Sequence, residues 1–440
     1  MVAMGHVVLG APPLARYHLH ERLLRVLRQR GHRVSVLATA AAARTFWARQ
    51  GEAVVQLADA PPSPPAALPL QDLAPRRHGI RRRRFANLAA ALEAWFLQEQ
   101  PDLLLLDQDR GDAGRLLQFV ARRHGCRVLW LGDGLLAHTL QVDDRGIDGD
   151  AALAGRPPRA LRAVARDDGL LAACLAHALA QVTPFALPRA PVRPPTSWQR
   201  IVDAATTWWQ DGAQAALHSL SVWRDALPAP TSGETAWRLP PPPFLAVLLQ
   251  DAADPRLAHD APDAPAAAQL VRAAAAASHA LGCDGRLAVV APPAWRQRRF
   301  AGVDLLPAAA APEAAATALA TVTVNHPAAT IALLAGTPVA HLGRAAYGVR
   351  GVAHHTQLAA LTSTLQEALR RDRPSLRART LSWLFGYGHV WCSPTHPDHN
   401  GILGLAQAIE TRLGERAAPG ALRHRHGPSW PLAQPPRRQS

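Results

Sequence analysis

Between Leu129 and Ala151 the chain reads LWLGDGLLAHTLQVDDRGIDGDA and gathers Asp133, His138, Gln141, Asp143, Asp144, Arg145, Asp148 and Asp150. Carboxylates crowded in this way repel one another unless Arg145, His138, backbone amides or a ligand offset their charge, so the segment is costly as plain scaffold. Asp-Gly and Arg-Gly pairs are also ordinary turn chemistry, and a surface turn is the competing reading. If the segment is a site, its carboxylates offer a nucleophile or a general base. Asp133 is the first candidate and Asp144 the second, with His138, Gln141 and Arg145 as polar contacts for a second substrate.

A second group of polar residues lies downstream. Gln250 and Asp251 close one apolar run, Thr323, Asn325 and His326 close another, and Gly343-Arg344 closes a third. Glycine lets a backbone approach an anion, arginine pairs a phosphate through two parallel hydrogen bonds, and asparagine can bind a base or a ribose. A helix starting near Pro327 would aim its amino end at the same anion. His326 is placed to protonate or hydrogen-bond a departing phosphate. His18 and His20 fall on a helix, at positions expected to face solvent.

These residues need elements to hold them. Residues 6–9, 34–37, 103–107 and 127–131 are short apolar runs, the third of them (LLLLD) continuous, as in a parallel strand buried on both faces. Helical spacing separates them, over Tyr17 to Arg30 and Phe85 to Glu99. Residues 160–182 read as a further helix and 184–198 are broken by prolines. A Trp-rich stretch (Trp198, Trp208, Trp209, Trp223) precedes a proline hinge at Pro240 to Pro243. Strands over 244–249, 287–290, 321–324 and 339–342, alternating with helices near 264–281 and 327–334, repeat the pattern. The reading is α/β, with two Rossmann-like domains facing a cleft. Residues 1–198 form the acceptor domain, 199–240 a Trp/Pro-rich helical linker and 241–375 the nucleotide-sugar domain. Residues 376–415 are helices packing back, and 416–440 a disordered tail. The glycine-rich dinucleotide fingerprint is missing, so neither NAD nor FAD is inferred.

The 440 residues carry a formal charge of +15. All 48 basic side chains are arginine, a bias of coding composition, and nucleic acid is not expected as a partner. The charge still favours anionic ligands or the inner membrane face, and Arg76, Arg77 and Arg81 through Arg84 are a candidate patch for lipid head groups. Cys126, Cys174, Cys283 and Cys392 are far apart and predict neither disulfides nor zinc. No signal peptide or spanning segment is legible, which predicts a cytoplasmic protein, peripheral at most. His396-Pro397-Asp398-His399 has metal-like spacing in a proline-rich loop, and no metal is expected.

Three blocks, GDGLLAHTLQVDDRGIDGDA, LLQDAAD and TVTVNHPAATIALLAGTPVAHLGRAAYGVRGVA, resemble bacterial capsule polysaccharide biosynthesis and export proteins, the likeness extending over the first of these segments and the last two-thirds of the second unit, about a third of the chain. These are the retaining β-Kdo transferases that build a linker on a phosphatidylglycerol-type lipid, and the match is to a single transferase module. The resemblance implies that Asp133 is the catalytic carboxylate, that Thr323, Asn325 and Gly343-Arg344 line a CMP pocket, and that Gln250 and Asp251 belong to a further motif. It implies a GT-B-like arrangement of the two domains, CMP-Kdo as donor, without a cofactor, a lipid or glycolipid acceptor, and contact with the capsule export machinery. The chain departs from the family at Ala291-Pro292-Pro293-Ala294, where a His-Pro pair is usual, and lacks the acidic residue and the arginine that flank the Asp133 block. A UDP-sugar-dependent transferase or epimerase and a non-catalytic capsule lipid-binding or export protein remain as alternative readings.

Overall fold

The computed structural model describes residues 4–10, 12, 16–38, 41–52, 54–55, 79–107, 112–180, 237–251, 254–292 and 303–414. Residues 181–198 and most of the Trp/Pro-rich linker, Arg76, Arg77, Pro293, Ala294 and the tail lie outside them, as do the side chains of Arg81 to Arg84.

Alternation of strands and helices builds two sheets. In the first half of the chain β1 (His6–Gly10), β2 (Arg33–Leu37), β3 (Leu103–Asp107), β4 (Arg127–Asp133) and β5 (Thr139–Asp143) alternate with α1 (Tyr17–Gln29), α2 (Ala41–Arg49), α3 (Gly79–Glu99) and α4 (Asp112–Arg123). Strands β2, β1, β3 and β4 run parallel in that order, and β5 folds back antiparallel onto β4. After α5 (Asp168–Ala180) the second half lays down β6 (Leu245–Leu248), β7 (Leu287–Val290), β8 (Leu305–Leu306), β9 (Ala320–Thr323), β10 (Val339–His341) and β11 (His354–His355). Every pairing there is parallel, and the spatial order β8-β7-β6-β9-β10-β11 is the 3-2-1-4-5-6 order of the Rossmann fold. Its helices are α6 (Pro255–Asp260), α7 (Ala267–Ala280), α8 (Ala311–Thr317), α9 (Ala329–Ala335), α10 (Leu361–Arg370) and α11 (Pro374–Gly386). The α/β architecture of two Rossmann-like units is therefore the one observed.

The chain then returns to the first sheet. Strand β12 (His389–Trp391) pairs antiparallel with β5, and α12 (His399–Gly414) packs Leu405, Ala406 and Ile409 into the core beneath Val7, Leu9 and the apolar face of α1. Asp398 accepts the Gly401 N–H at 2.7 Å, so the His396 to His399 motif serves to start this helix. Among the described residues no group of three or more His, Cys, Asp or Glu could hold a metal, and no helix is long and apolar enough to cross a membrane.

One expectation is corrected. Residues 139–143, inside the polar segment for which a surface turn is the competing reading, are a strand with all five residues buried, because Gln141 and Asp143 find internal partners and so hide the period-2 pattern. Leu135, Leu136, Ala151 to Leu153, Leu161, Cys174 and Ala178, on either side of β5, share one apolar core with Phe244, Ala246, Ile331 and Trp383 of the second unit. Burial of that apolar surface joins the two units at the carboxyl ends of their strands.

Candidate functional site

Both sheets turn their carboxyl edges toward the same seam. In the first sheet the strand order reverses between β1 and β3, the position where open α/β sheets form a crevice. Arg16, just ahead of α1, is only 5% exposed there. One branch of its guanidinium donates to Asp107 Oδ1 at 2.7 Å, and the other donates to Asp133 Oδ1 at the end of β4. Asp107 is fully buried and is approached on its other oxygen by His20 Nε2 at 3.2 Å. Burial pushes the Asp107 carboxyl up, but Arg16 and His20 outweigh it and hold it below the usual carboxylate range. Asp133 is the open member, its side chain 47% exposed. His20, expected in solvent, is 1% exposed and also bonds the Arg16 carbonyl.

The hairpin after Asp133 is built to cross the seam. Gly134 can hold no side chain, since a Cβ would lie 1.9 Å from Thr139 Oγ1. Asp143, almost fully buried, accepts the N–H groups of Arg145 (2.8 Å), Gly146 (3.1 Å) and Ala152 (2.9 Å) and so ties down residues 144–152. Burial lifts its carboxyl to about 6 against the pull of those amides. Gln141 accepts the Asp148 N–H at 3.0 Å. The loop thus offers Asp148 to Arg256 Nε (2.9 Å) and Asp150 to Arg344 Nη2 (2.8 Å), both in the second unit. A Cβ on Gly149 would fall 2.5 Å from Asp260 Oδ1 and 2.7 Å from Arg344 Cβ, so only glycine permits this approach. Arg256 is 16% exposed. Burial opposes its charge, but Asp148, Asp254 and Asp133 together raise its pKa.

In the second sheet the order reverses between β6 and β9, and Gln250 and Asn325 follow those two strands. Gln250 Oε1 accepts the Asn325 N–H at 3.1 Å, and its Nε2 donates to Asp254 Oδ2 at 3.1 Å. Asn325 Nδ2 donates to the carbonyls of Arg256 (3.1 Å) and Arg344 (3.3 Å), which leaves Oδ1 as a buried acceptor without a partner. Thr323 Oγ1 donates to the Leu248 carbonyl and accepts the His326 N–H at 3.1 Å. His326 Nδ1 accepts the Ala328 N–H at 3.1 Å, which assigns the ring proton to Nε2. Burial lowers its pKa to about 4, against Asp254 and with Arg256, so the ring is a neutral donor near neutrality and not an acid.

His326 also lines a cavity of about 280 Å³ between the units, walled by Gly134 to Ala137 from the first and by Ala311, Pro327 and Ile331 among others from the second. It is the one ionisable side chain among the lining residues.

The predicted residues therefore divide. Asp133, His326, Gln250, Thr323 and Asn325 lie at the two carboxyl edges. Asp144 and Arg145 are exposed and follow Asp143, which pairs with Trp130, three residues back along β4 from Asp133; Asp144 is not beside Asp133. Gln141 is 1% exposed and braces the loop, so it is removed from the acceptor contacts. His138 is exposed, with φ +58°, its ring 6.4 Å from that of His177 near the cavity. Asp251 is half-buried beside Gln250.

Gly343 does not open space for a phosphate: a Cβ there would meet Ala261 Cβ at 2.8 Å, so the glycine accommodates protein packing. Arg344, half-exposed, is already bonded to Asp150 and, at 3.0 Å, to Asp260. The helix after Pro327 has no amides to spare either, because Ala328, Ala329 and Thr330 donate to His326 Nδ1 and to the carbonyls of His326 and Pro327. Sequence reading missed Arg16, Arg256 and Asp260 as members of the seam. The one available signal was the i, i+4 spacing of Arg16 and His20, which puts them on the same face of the helix start.

No protein-family model and no curated protein matches the chain. Among solved structures it is similar to KpsC of Thermosulfurimonas dismutans, a β-Kdo 2,7 transferase, at 11% identity over 93% of this chain and 99% of that one, with a TM-score of 0.39. It is also similar to the glycotransferase of kitacinnamycin (12% identity, 93% and 99% covered, TM-score 0.34). A third is the UDP-GlcNAc 2-epimerase of Methanocaldococcus jannaschii (10% identity, 86% and 98% covered, TM-score 0.29).

Proposed function

We propose that the protein is a glycosyltransferase that takes a sugar from a nucleotide donor held at the second sheet and passes it to an acceptor at the first. The observation that carries this reading is Asp133: a half-exposed carboxylate at a strand end, bonded by Arg16 from behind and electrostatically coupled to Arg256 across the seam. Glycosyl transfer needs a carboxylate at the anomeric centre and neutral or cationic donors on the departing phosphate. Asp133 either bonds the anomeric carbon as the phosphate oxygen leaves with the electron pair, or takes the proton of the acceptor hydroxyl. His326, with its Nε2–H, is the neutral donor on the leaving side, and Gln250, Thr323 and Asn325 form the floor of the nucleotide site.

The three motif blocks support the finer reading, transfer of Kdo from CMP-Kdo to a lipid or glycolipid at the inner membrane face, in capsule assembly. The apolar cavity beside Gly134 suits an acceptor with a hydrocarbon part. The test is thermal stability with CMP, CDP, UMP and UDP, since a ligand that binds only the folded state stabilises it by about 2.7 kcal/mol at a hundredfold excess over Kd. Selective stabilisation by CMP is expected. A response to UDP alone would transfer the reading to a UDP-sugar transferase or epimerase, and no response to any nucleotide would leave a lipid-binding or export role.

A further inference from the structure

Behind Asp133 the charges alternate. His20 Nε2 meets Asp107 Oδ2 at 3.2 Å, Asp107 Oδ1 meets Arg16 Nη1 at 2.7 Å, and Arg16 Nη2 meets Asp133 Oδ1. Arg16, His20 and Asp107 are each at least nine-tenths buried, and only Asp133 reaches solvent. One guanidinium thus serves two carboxylates, the buried Asp107 and the half-open Asp133. An arginine bonded to Asp133 alone would cancel its charge and blunt it as a nucleophile or base. A carboxylate on the arginine's other branch restores that reactivity while leaving the orienting hydrogen bond in place.

We infer that Arg16 is the positioning residue that fixes Asp133, and that Asp107 keeps Asp133 reactive by taking up the charge of the same guanidinium. This rests on the reading of Asp133 as the reacting carboxylate. A further charged group coupled to Asp133 comes from the second unit, Arg256, itself balanced by Asp148 and Asp254. Planar arginine suits the arrangement because its two branches are fixed relative to each other, so anchoring one branch on buried Asp107 aims the other.

A water-soluble carbodiimide with an amine nucleophile labels carboxyl groups through their protonated form, and peptide mass spectrometry reads labelling at Asp133 in the full-length protein from pH 4.5 to 7. Arg16→Gln removes the cation and is expected to raise labelling of Asp133 several-fold. Asp107→Asn leaves the cation uncompensated and is expected to lower it several-fold. The double variant, which buries no unpaired charge, falls between the two. Exposed Asp284 is the internal reference and stays constant. Two shifts of the same sign would mean that both substitutions merely loosen the site, and labelling unchanged by either would mean that Arg16 does not hold Asp133; each overturns the inference.

In a transfer assay the same two variants lower kcat with the donor KM unchanged, and the acid limb of the pH profile moves up for Arg16→Gln and down for Asp107→Asn. Opposed labelling shifts in a protein that turns over no nucleotide sugar would sink the transferase reading while leaving the arginine's role intact.

Discussion

The two carboxyl edges share a topology and differ in chemistry. The edge of the first sheet is ionic: Arg16, Asp107 and Asp133 are joined by charge-assisted hydrogen bonds, with His20 packed behind. The edge of the second is built from amides and a hydroxyl, Gln250, Asn325 and Thr323, with His326 held neutral. A half-open carboxylate backed by a buried cation suits bond making and breaking, whereas fixed neutral donors and acceptors suit recognition of a polar ligand. The arginines of the second unit do not blur this contrast, because Arg256 and Arg344 spend their bonds on the loop that crosses from the first. The seam between the edges is itself ionic, and its components were drawn from both halves of the chain.

That contrast is broken or sharpened by four substitutions. Asp133→Asn should cost about 10²- to 10⁴-fold in kcat, the contribution of a nucleophile or general base, with the melting temperature unchanged; a variant of full activity would remove chemistry from the first edge. Asn325→Ala should act on the other parameter, raising the donor KM by about 5- to 150-fold, as when a buried polar group loses its partners at about 1 to 3 kcal/mol. If it lowered kcat and spared KM instead, the division of labour between the edges would be wrong.

A pH effect reports on the junction. His389 accepts the Leu135 N–H on Nε2 (3.1 Å), while Nδ1 bonds the Leu384 carbonyl (2.7 Å), and burial lowers its pKa from 6.5 to about 4. The unfolded chain therefore binds the proton more readily. Stability is fully present above pH 6.5 and is lost as the pH falls toward 4, by up to about 3 kcal/mol from this residue. His389→Gln keeps an acceptor and removes the titration, so urea unfolding of the variant should lose that part of the pH dependence. The smallest effect is expected at Asp144: it is exposed and removed from Asp133, so Asp144→Asn should change kcat by less than about twofold.

Particular residues show where sequence reading stopped. LLLLD at 103–107 announced a strand buried on both faces, and the whole parallel framework followed from such runs, because burial imposes a local period that the sequence must display. Asp133 was legible for the same reason, as the polar residue that ends an apolar run. Strand β5 was not, since its buried Gln141 and Asp143 are satisfied by backbone amides that only the folded hairpin brings to them. Arg344 was legible as a cation at a strand end but not as one already engaged, because its partners Asp150 and Asp260 lie 194 and 84 residues away.

By itself, then, the sequence determined two Rossmann-like units, the strand ends that carry polar residues and the place of Asp133 among them, all of them properties of local apolar patterning. Tertiary structure alone decided which charges pair. Arg16 reaches Asp107 and Asp133 across 91 and 117 residues, and Gly149 lets the hairpin touch the second unit. A charge has no periodicity to betray its partner. Where it is buried, its neighbours are fixed by the packing that excludes water, and that packing exists only once the sheets have met.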